Sequence, residues 1–449
     1  MIKNVKWNNH YVLDNLELDF SKPDGTLYNT ILLAGENGTG KTTILETLGA
    51  FLNLGSIEPF KYIRYVVDGV PYLITPKDNP MMGFHLRKNE NDGTEIGIYS
   101  NRNNNKPNID RDTFDIRHYG CAYSKARSGF RTQKITATTM QQLDEDKYEE
   151  DSKEDFTFIK QLIVDIDTQD NSNWMNITKA GIDISFPEFQ KSSKKYRFEK
   201  AFNDFFDIMK FVGVDNTSSD EKKIVFEKNG KKISVDDLST GEKQIVFRGA
   251  HLLKNSNNLN GGIILIDEPE LSMHPKWQEK ILQYYRNLFT NDRIQTAQLI
   301  IATHSEYVLR SALNDPDNVL IIALSQNAGN IEAKRITAPS VLPTITSAEN
   351  NYLVFGIVST DYHIELYGYL QSKENKTSVK ACDEYIAMHP SYDPLKHGKP
   401  SSHTAHGNTT NYKTLPTYIR NAIDHPDSGQ TYTQDELKTS IELLIKLCR

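Results

Sequence analysis

A glycine-rich segment near the start of the chain, residues 35–42 (GENGTGKT), has the spacing of a phosphate-binding loop. Its glycines let backbone N–H groups curl around phosphate oxygens, and the N-terminus of the following helix adds a positive partial charge. Lys41 can place a cation on the phosphates of a nucleotide, and Thr42 can offer a hydroxyl to Mg²⁺. The residues predicted to bind the phosphates are Gly35, Asn37, Gly38, Gly40, Lys41, Thr42 and Thr43.

A second segment, residues 261–270 (GGIILIDEPE), is apolar and ends in two adjacent carboxylates. At the tip of a buried strand, Asp267 can hold Mg²⁺ through water, and Glu268 can orient or deprotonate an attacking water. The same acidic pair can also simply cap the next helix. The phosphate-binding loop elsewhere in the chain favours the first interpretation, in which the two segments hydrolyse a bound nucleotide.

A third segment, residues 238–244 (LSTGEKQ), opens a run with helical apolar periodicity. Ser239 and Gly241 at the N-terminus of such a helix form an anion site. An ordinary N-cap is the alternative, because serine is a preferred capping residue. A fourth segment, residues 300–305 (IIATHS), places His304 directly after a predicted strand.

The elements that position these residues alternate between predicted strands and helices, as in an α/β fold. Residues 30–34 (TILLA) predict a short buried strand, and helix-forming residues follow Lys41. Residues 262–266, 298–302 and 319–323 are apolar runs separated by helical or loop segments, which predicts a parallel sheet buried on both faces. Residues 11–20 alternate apolar and polar side chains and predict a half-buried strand.

In this order, the segments GENGTGKT, LSTGEKQ, IILIDEPE and IIATHS resemble the ABC-type ATPases, in particular the branch with RecF-, Rad50/SMC- and OLD-like proteins. The resemblance implies a P-loop NTPase head that binds ATP with Mg²⁺ at Thr42 and Asp267. It also implies that Glu268 is the general base and that His304 senses the γ-phosphate. Ser239 and Gly241 would act in trans, on ATP held by another copy.

The spacing of the motifs narrows this resemblance. About 195 residues separate Thr42 from Leu238, which is similar to the modest inserts of prokaryotic defence ATPases of the AAA_15/AAA_21 type, including those of the PARIS and Septu systems. Residues 305–449 contain no pattern of a TOPRIM nuclease. The resemblance therefore implies a homo-oligomer joined by ATP-sandwiched heads, a separate effector nuclease of TOPRIM or HNH type, and a phage protein or nucleic acid as trigger.

The expected fold is an α/β ABC-type ATPase head with an insert and a mainly helical C-terminal domain. We predict the first part of the head at residues 1–55, the insert at 56–230, the second part of the head at 231–345 and the C-terminal domain at 346–449. Within these, residues 143–156 predict a solvated helix face or mobile insert, and residues 396–411 a polar loop. Thr433 and Glu436 form a capping box before the last helix.

The C-terminal segment YIRNAIDHPD contains Arg420 and His425 at the spacing of HEPN ribonucleases. His425 can act as acid or base toward a 2′-hydroxyl, and Arg420 can steady a phosphate. An ordinary helix end is the alternative, because Arg and His commonly lie near terminal carbonyls. The segment leaves open an ATPase-gated ribonuclease, and the head leaves open a DNA repair ATPase of RecF/Rad50 type.

Composition restricts the class of protein. The 449 residues are 38% hydrophobic and 25% charged, with a net charge of −7, so the whole chain is not a basic nucleic-acid coat. Three widely spaced cysteines indicate neither a disulfide framework nor a zinc site. The N-terminus does not resemble a signal peptide and no apolar run is long enough to span a membrane, so we expect a cytoplasmic protein.

Overall fold

The computed structural model describes residues 1–77, 84–99, 108–150, 155–218, 220–327, 329–336, 341–405 and 408–449. The chain divides into two compact units, Met1–Arg335 and Ile336–Arg449. The sequence-based boundary at residues 345 and 346 falls inside the second unit.

The first unit contains three main sheets and the helices that pack on them. Its strands are β1 (Ile2–Trp7), β2 (Glu17–Asp19), β3 (Thr30–Gly35), β4 (Phe60–Val67), β5 (Val70–Pro76), β6 (Phe84–Asn89), β7 (Glu95–Tyr99), β8 (Cys121–Ser124), β9 (Tyr148–Glu150), β10 (Met209–Asp215), β11 (Lys223–Lys228), β12 (Lys231–Ser234), β13 (Ile263–Asp267), β14 (Thr290–Asn291), β15 (Ile294–Gln295), β16 (Gln298–Thr303), β17 (Val319–Asn327) and β18 (Asn330–Ile336). Its α-helices are α1 (Lys41–Leu52), α2 (Thr157–Lys179), α3 (Phe186–Ser192), α4 (Tyr196–Phe205), α5 (Thr240–Lys243), α6 (Gly249–Leu253), α7 (Pro275–Leu288) and α8 (Glu306–Leu313). A π-helix at Gln244–Arg248 joins α5 to α6, and 3-10 turns lie at Ile116–Tyr119 and Val235–Asp237.

The central sheet has the strand order β18-β17-β3-β16-β13-β8-β9. Every residue of β3, β13 and β16 is buried, because these apolar strands are covered on both faces. The pairs β13–β16, β16–β3 and β17–β3 are all parallel, which confirms the prediction of a parallel sheet. The carboxyl ends of parallel strands lie at one edge, so the segments that follow β3, β13 and β16 emerge together.

Two antiparallel sheets complete the unit, in the orders β2-β1-β4-β5-β6-β7 and β10-β11-β12. The prediction of one strand over residues 11–20 was wrong, because only Glu17–Asp19 is a strand. A turn precedes it, in which the His10 side chain accepts hydrogen bonds from the N–H groups of Val12 and Leu13. The alternating pattern reflects the burial of Leu13, Leu16, Leu18 and Phe20 on either side of the turn.

In the acidic segment, the described residues 143–150 and 155–156 form no helix, so the predicted helix face was wrong for these residues. Residues 148–150 form β9, which pairs in parallel with β8, and residues 151–154 lie outside the described residues. Tyr148 is buried beside Leu54, Ile98 and Ile109, so an apolar anchor fixes the strand. Asp144 in this segment accepts hydrogen bonds from Arg197 at both of its carboxylate oxygens.

The second unit is mainly helical, as predicted. Its helices are α9 (Ser347–Phe355), α10 (Thr360–Lys373), α11 (Val379–Met388), α12 (Pro394–His397), α13 (Leu415–Asp424) and α14 (Gln434–Cys448), with a 3-10 turn at Pro426–Ser428. The predicted capping box of Thr433 and Glu436 begins α14. The apolar faces of α10, α13 and α14 share one core that includes Leu366, Ile419 and Leu444.

The polar loop predicted at residues 396–411 is instead largely a β-hairpin, so this prediction was wrong. Strands β19 (Gly398–Ala405) and β20 (Asn408–Thr414) pair in antiparallel fashion. The segment lacks the alternation of apolar and polar residues that usually predicts a strand. Its threonines, which are good strand formers, favour the hairpin instead. The Thr404 and Thr409 hydroxyls hydrogen bond across the strands at 2.9 Å.

None of the helices in the described parts of the chain combines the length and the apolar character needed to cross a lipid bilayer.

Candidate active site

The phosphate-binding loop joins β3 to α1, as the motif requires. Gly40 is the N-cap of α1 with a φ of 79°, and no side chain caps this helix end. A Cβ atom at Gly40 would lie 2.7 Å from Leu13 Cδ2, and one at Gly35 would lie 2.3 Å from the Leu324 carbonyl oxygen. Only glycine fits these two positions, and the N–H groups of the first helical turn stay available for an anion.

Lys41 folds over this loop from the first turn of α1. Its Nζ atom donates hydrogen bonds of 2.8 Å to the carbonyl oxygens of Gly35 and Glu36. Burial lowers the pKa of Lys41, and the nearby carboxylates of Glu268 and Asp267 oppose this shift. The cation therefore sits between the loop backbone and the acidic strand end. Asn37, Gly38 and Thr42 are exposed, and Thr43 is half-buried.

Asp267 at the end of β13 meets Thr42 at the start of α1. Thr42 Oγ1 donates a hydrogen bond of 2.9 Å to Asp267 Oδ2, although the residues are 225 positions apart. Asp267 is only 2% exposed, and its Oδ1 atom has no hydrogen-bond partner among the described residues. Burial raises the pKa of Asp267 to about 6, against the opposing hydrogen bond from Thr42. A buried carboxylate with a spare oxygen, next to a hydroxyl, fits the oxygen ligands that Mg²⁺ prefers.

Glu268 follows β13 in the left-handed backbone region, with a φ of 43°. This conformation is uncommon for a residue with a side chain and occurs often at functional sites. The Glu268 N–H donates to the Ala302 carbonyl at 2.9 Å, which fixes the turn. His304 Nδ1 lies 3.2 Å from Glu268 Oε1. That hydrogen bond lowers the pKa of Glu268 and raises the pKa of His304, so the two form a charge-assisted pair.

Glu270 is a member of this cluster that the sequence did not single out. Its carboxylate is 3% exposed and accepts hydrogen bonds from Thr303 Oγ1 at 2.6 Å and from the His304 N–H at 3.0 Å. His304 Nδ1 also lies 3.5 Å from Glu270 Oε1. The backbone and the ring of His304 are therefore both held by carboxylates that follow β13.

Arg248 is a second residue that the sequence analysis missed. It ends the π-helix and is fully buried, with hydrogen bonds to the carbonyl oxygens of Asp267 at 2.7 Å and Glu268 at 3.1 Å. Its guanidinium also binds the Ser124 hydroxyl and carbonyl at the end of β8. An arginine within the apolar run IVFRGAHLL was the available signal, because a buried arginine needs several acceptors.

Ser239 is the N-cap of α5 and forms a capping box with Glu242. Ser239 and Thr240 are exposed, whereas Gly241 is buried. A Cβ atom at Gly241 would lie 2.9 Å from the Ser272 carbonyl oxygen, so the segment packs closely on the turn after β13. The N-terminus of this helix therefore lies at the surface, where the N–H and the hydroxyl of Ser239 donate hydrogen bonds to Glu242 Oε2.

The structure places the remaining predicted residues in ordinary local contacts. Arg420 Nη2 pairs with Asp424 Oδ2 at 2.6 Å, one turn along α13. The His425 ring, just beyond that helix, stacks on the His403 ring with centroids 4.6 Å apart. No group of three or more metal-ligating side chains was found among the described residues.

Comparisons with known proteins give a family match and several relatives. Residues 141–310 match the family described as "AAA domain, putative AbiEii toxin, Type IV TA system". The chain is 25% identical over 331 residues to the Septu protein PtuA of Bacillus thuringiensis, covering 70% of this chain and 74% of that protein. It is 43% identical over 65 residues to the Retron Vc95 probable ATPase of Vibrio cholerae serotype O1 biovar El Tor, covering 14% of this chain and 12% of that relative.

Solved structures that match the chain include heads of SMC proteins. The SMC head bound to the C-winged helix domain of ScpA has a TM-score of 0.40 at 15% identity, covering 75% of this chain and 98% of that one. The SMC head domain from Thermotoga maritima has a TM-score of 0.37 at 13% identity, covering 75% of this chain and 99% of that one.

Proposed function

We propose, on the premise that the chain is an ABC-type ATPase of the branch that includes RecF-, Rad50- and OLD-like and defence-related ATPases, that it hydrolyses ATP between two copies of its head. Through this cycle it controls a separate nuclease in a bacterial anti-phage system. The observation that supports the proposal best is the meeting of Lys41, Asp267, Glu268 and His304 at one edge of the parallel sheet.

One copy supplies the binding half of the site. The N-terminus of α1 and Lys41 take the β- and γ-phosphates of ATP, which replace the loop carbonyls as partners of the Lys41 ammonium group. Thr42 and Asp267 would hold Mg²⁺, which supplies charge neutralisation at the phosphates. Asp267 is suited to this role because its Oδ1 atom is buried and without a partner among the described residues.

Glu268 is positioned to accept a proton from the attacking water. As that proton moves to the carboxylate, the water oxygen bonds to the γ-phosphorus, the bond to the β–γ bridging oxygen breaks, and ADP leaves. The hydrogen bond from His304 keeps Glu268 ionised before the reaction. The side chain of His304 is 41% exposed, which leaves its ring room to contact the γ-phosphate.

A second copy would supply the other half. The exposed N-terminus at Ser239 and Thr240 is free to approach a phosphate outside its own chain. Arg248 supports this division, because it connects the π-helix after Ser239 to the backbone of Asp267 and Glu268. A contact between Ser239 and ATP of another copy would therefore be transmitted through Arg248 to Glu268 at the end of β13.

The role in defence rests on the relatives. One is named as a Septu protein, another as a retron ATPase, and the matching family is described as a putative toxin of a toxin–antitoxin system. We propose that a phage protein or nucleic acid triggers the assembly and that a nuclease of TOPRIM or HNH type acts as effector. Co-expression with a candidate TOPRIM or HNH nuclease tests that arm: Lys41→Ala should abolish control of its activity, and unchanged control would reject the ATPase as its regulator.

The decisive experiment for the ATPase is the Glu268→Gln variant. We expect it to bind ATP, to lose between about 10²- and 10⁴-fold in turnover, and to accumulate as an ATP-bound assembly. Analytical ultracentrifugation with and without ATP measures the assembly, and Glu268→Gln combined with Lys41→Ala is the control that should stay unassembled. Normal hydrolysis by Glu268→Gln, or the same mass with and without ATP, would reject the proposal.

A further inference from the structure

An ion pair between Lys228 and Glu242 lies beside Ser239, and its lysine is on the hairpin of β11 and β12. We infer that Lys228 is a positioning residue for assembly: it neutralises Glu242, so that the Ser239 end of α5 can approach the triphosphate held by a second copy. The inference rests on the proposed function, because it assigns Lys228 a role in the trans half of that site.

The contacts form a short relay from the hairpin to the helix N-terminus. Lys228 Nζ lies 2.6 Å from Glu242 Oε1. The other carboxylate oxygen, Oε2, accepts hydrogen bonds of 2.8 Å from both the N–H and the hydroxyl of Ser239. The Glu242 side chain is only 5% exposed, whereas the Lys228 side chain is 33% exposed at the end of β11. The lysine is therefore the solvent-facing end of the relay.

Lys228 matters because the negative charge of Glu242 lies close to Ser239. A nearly buried carboxylate next to Ser239 would repel a triphosphate, because charges interact strongly where little water screens them. Burial would raise the pKa of Glu242, but the hydrogen bonds from Lys228 and Ser239 outweigh it and hold that pKa below its ordinary value. The carboxylate is thus ionised and keeps its negative charge, and Lys228 is the cation that compensates it.

The surrounding charges do not replace Lys228. Lys243 donates to the Asp236 carbonyl oxygen, and Lys160 pairs with the Asp236 carboxylate at 2.6 Å. Lys232 on β12 lies opposite Glu227 in the hairpin register. Lys231 lies opposite Lys228 in the same register, and Lys228 is the cation in contact with the Glu242 carboxylate in the described structure.

The experiment uses the full chain in the Glu268→Gln background, with ATP-dependent assembly measured by analytical ultracentrifugation. We expect Lys228→Met to weaken assembly by about tenfold, since a repulsive charge is uncovered beside the phosphates. Adding Glu242→Gln should restore assembly to within about threefold, because the amide keeps the acceptor oxygen without the charge. Lys232→Met, on the same hairpin, is the matched control and should assemble normally, and Lys228→Arg should retain most of the function.

The outcomes separate the two proposals. If Glu268→Gln itself fails to assemble with ATP, the proposed function falls and this inference falls with it. If it assembles and Lys228→Met assembles equally well, only the inference is overturned. Lost assembly without rescue by Glu242→Gln would mean that Lys228 merely supports the hairpin. ATP binding by unassembled, dilute protein should be unchanged in every Lys228 variant, and a loss there would place Lys228 in the cis site and overturn the inference.

Discussion

Two regions of the molecule contain a histidine with charged neighbours. One is the sheet edge where Lys41, Asp267, Glu268 and His304 meet, called here the nucleotide edge, in the first unit. The other is the Arg420–His425 segment of the second unit. At the nucleotide edge, Asp267 and His304 come from the ends of two strands and contact partners from distant segments at 2.9 to 3.2 Å. In the second unit, Arg420 and His425 are close in sequence, but each contacts a different neighbour. The comparison teaches that convergence of separate segments on one sheet edge indicates chemistry better than a short spacing does.

The largest effect that would sharpen this comparison is expected from Lys41→Ala. Removing the cation that faces the phosphates should weaken ATP binding by at least about 100-fold, because an uncompensated charge is left in a partly buried site. Isothermal titration calorimetry with ATP and Mg²⁺ measures it. Lys61→Ala is the control, since Lys61 is an exposed lysine on β4. ATP affinity within a few-fold of the wild-type value in Lys41→Ala would contradict the assigned site.

The next effect is expected from Arg248→Lys, which tests whether the nucleotide edge depends on the buried guanidinium. Lysine cannot reach the carbonyl oxygens of Ser124, Asp267 and Glu268 together, so the strand end should shift. We expect kcat to fall between about ten- and hundredfold while ATP binding changes little, because catalysis is sensitive to small misplacements. Steady-state kinetics separate kcat from KM. Arg310→Lys, at an exposed arginine, should keep wild-type kinetics, and so would Arg248→Lys if our assignment is wrong.

A smaller effect is expected on the pH dependence of stability, where the buried His363 differs from the half-exposed His304. Carboxylates raise the pKa of His304, whereas burial lowers the pKa of His363 in α10 to about 3. The unfolded chain protonates His363 near pH 6.5, so its contribution to stability is complete above that pH and is lost as the pH falls toward 3. The free energy of unfolding should fall by about 1 kcal/mol per pH unit in that window.

Hydrogen exchange of α10 in the full chain, at pH 7 and pH 5, measures this slope. His363→Gln should flatten it, because glutamine does not titrate and can still bind the Ser440 hydroxyl that now lies 2.9 Å from His363 Nε2. His389→Gln is the control at a less buried histidine. An equal slope in wild type and His363→Gln would show that other groups govern the acid sensitivity of the second unit.

The smallest effect is expected from the double variant Arg420→Ala and His425→Ala. Its ATP hydrolysis and its toxicity in cells should match the wild-type protein within about twofold, since Arg420 contacts Asn421 and Asp424 on its own helix and His425 stacks on His403. RNA cleavage assays on the purified protein complete the test. Loss of toxicity together with loss of RNA cleavage would break the comparison and favour the ATPase-gated ribonuclease.

The sequence predicted the parts of the fold that local patterns encode. The phosphate loop, the capping box of α14 and the three buried parallel strands each have a signal within a few residues of themselves. The hairpin at residues 398–414 lacked such a signal, because hydroxyl pairs and a stacked histidine, rather than alternating apolar residues, stabilise it. Strand β9 was missed because its pairing with β8 depends on Tyr148 reaching a distant apolar cluster.

In the candidate site, too, the sequence predicted individual residues but not the contacts between distant ones. Lys41, Asp267, Glu268 and His304 were predicted as separate residues, and the structure brings them to one edge of the sheet. Glu270 and Arg248 were missed, because a buried charge acquires a role only through the backbone or side chains that it meets in three dimensions. The trans role of Ser239 and Gly241 stays a prediction, since one chain contains only one side of that contact.

A mixing experiment tests the central claim that one active site needs two copies. Lys41→Ala keeps Ser239 but cannot bind ATP, and Ser239→Arg binds ATP but blocks the trans contact, so each variant alone should be inactive. An equimolar mixture should recover about a quarter of wild-type hydrolysis, because half of randomly formed pairs are mixed and each has one intact site. Activity of the mixture no higher than that of the separate variants, or full activity of Ser239→Arg alone, would contradict the account.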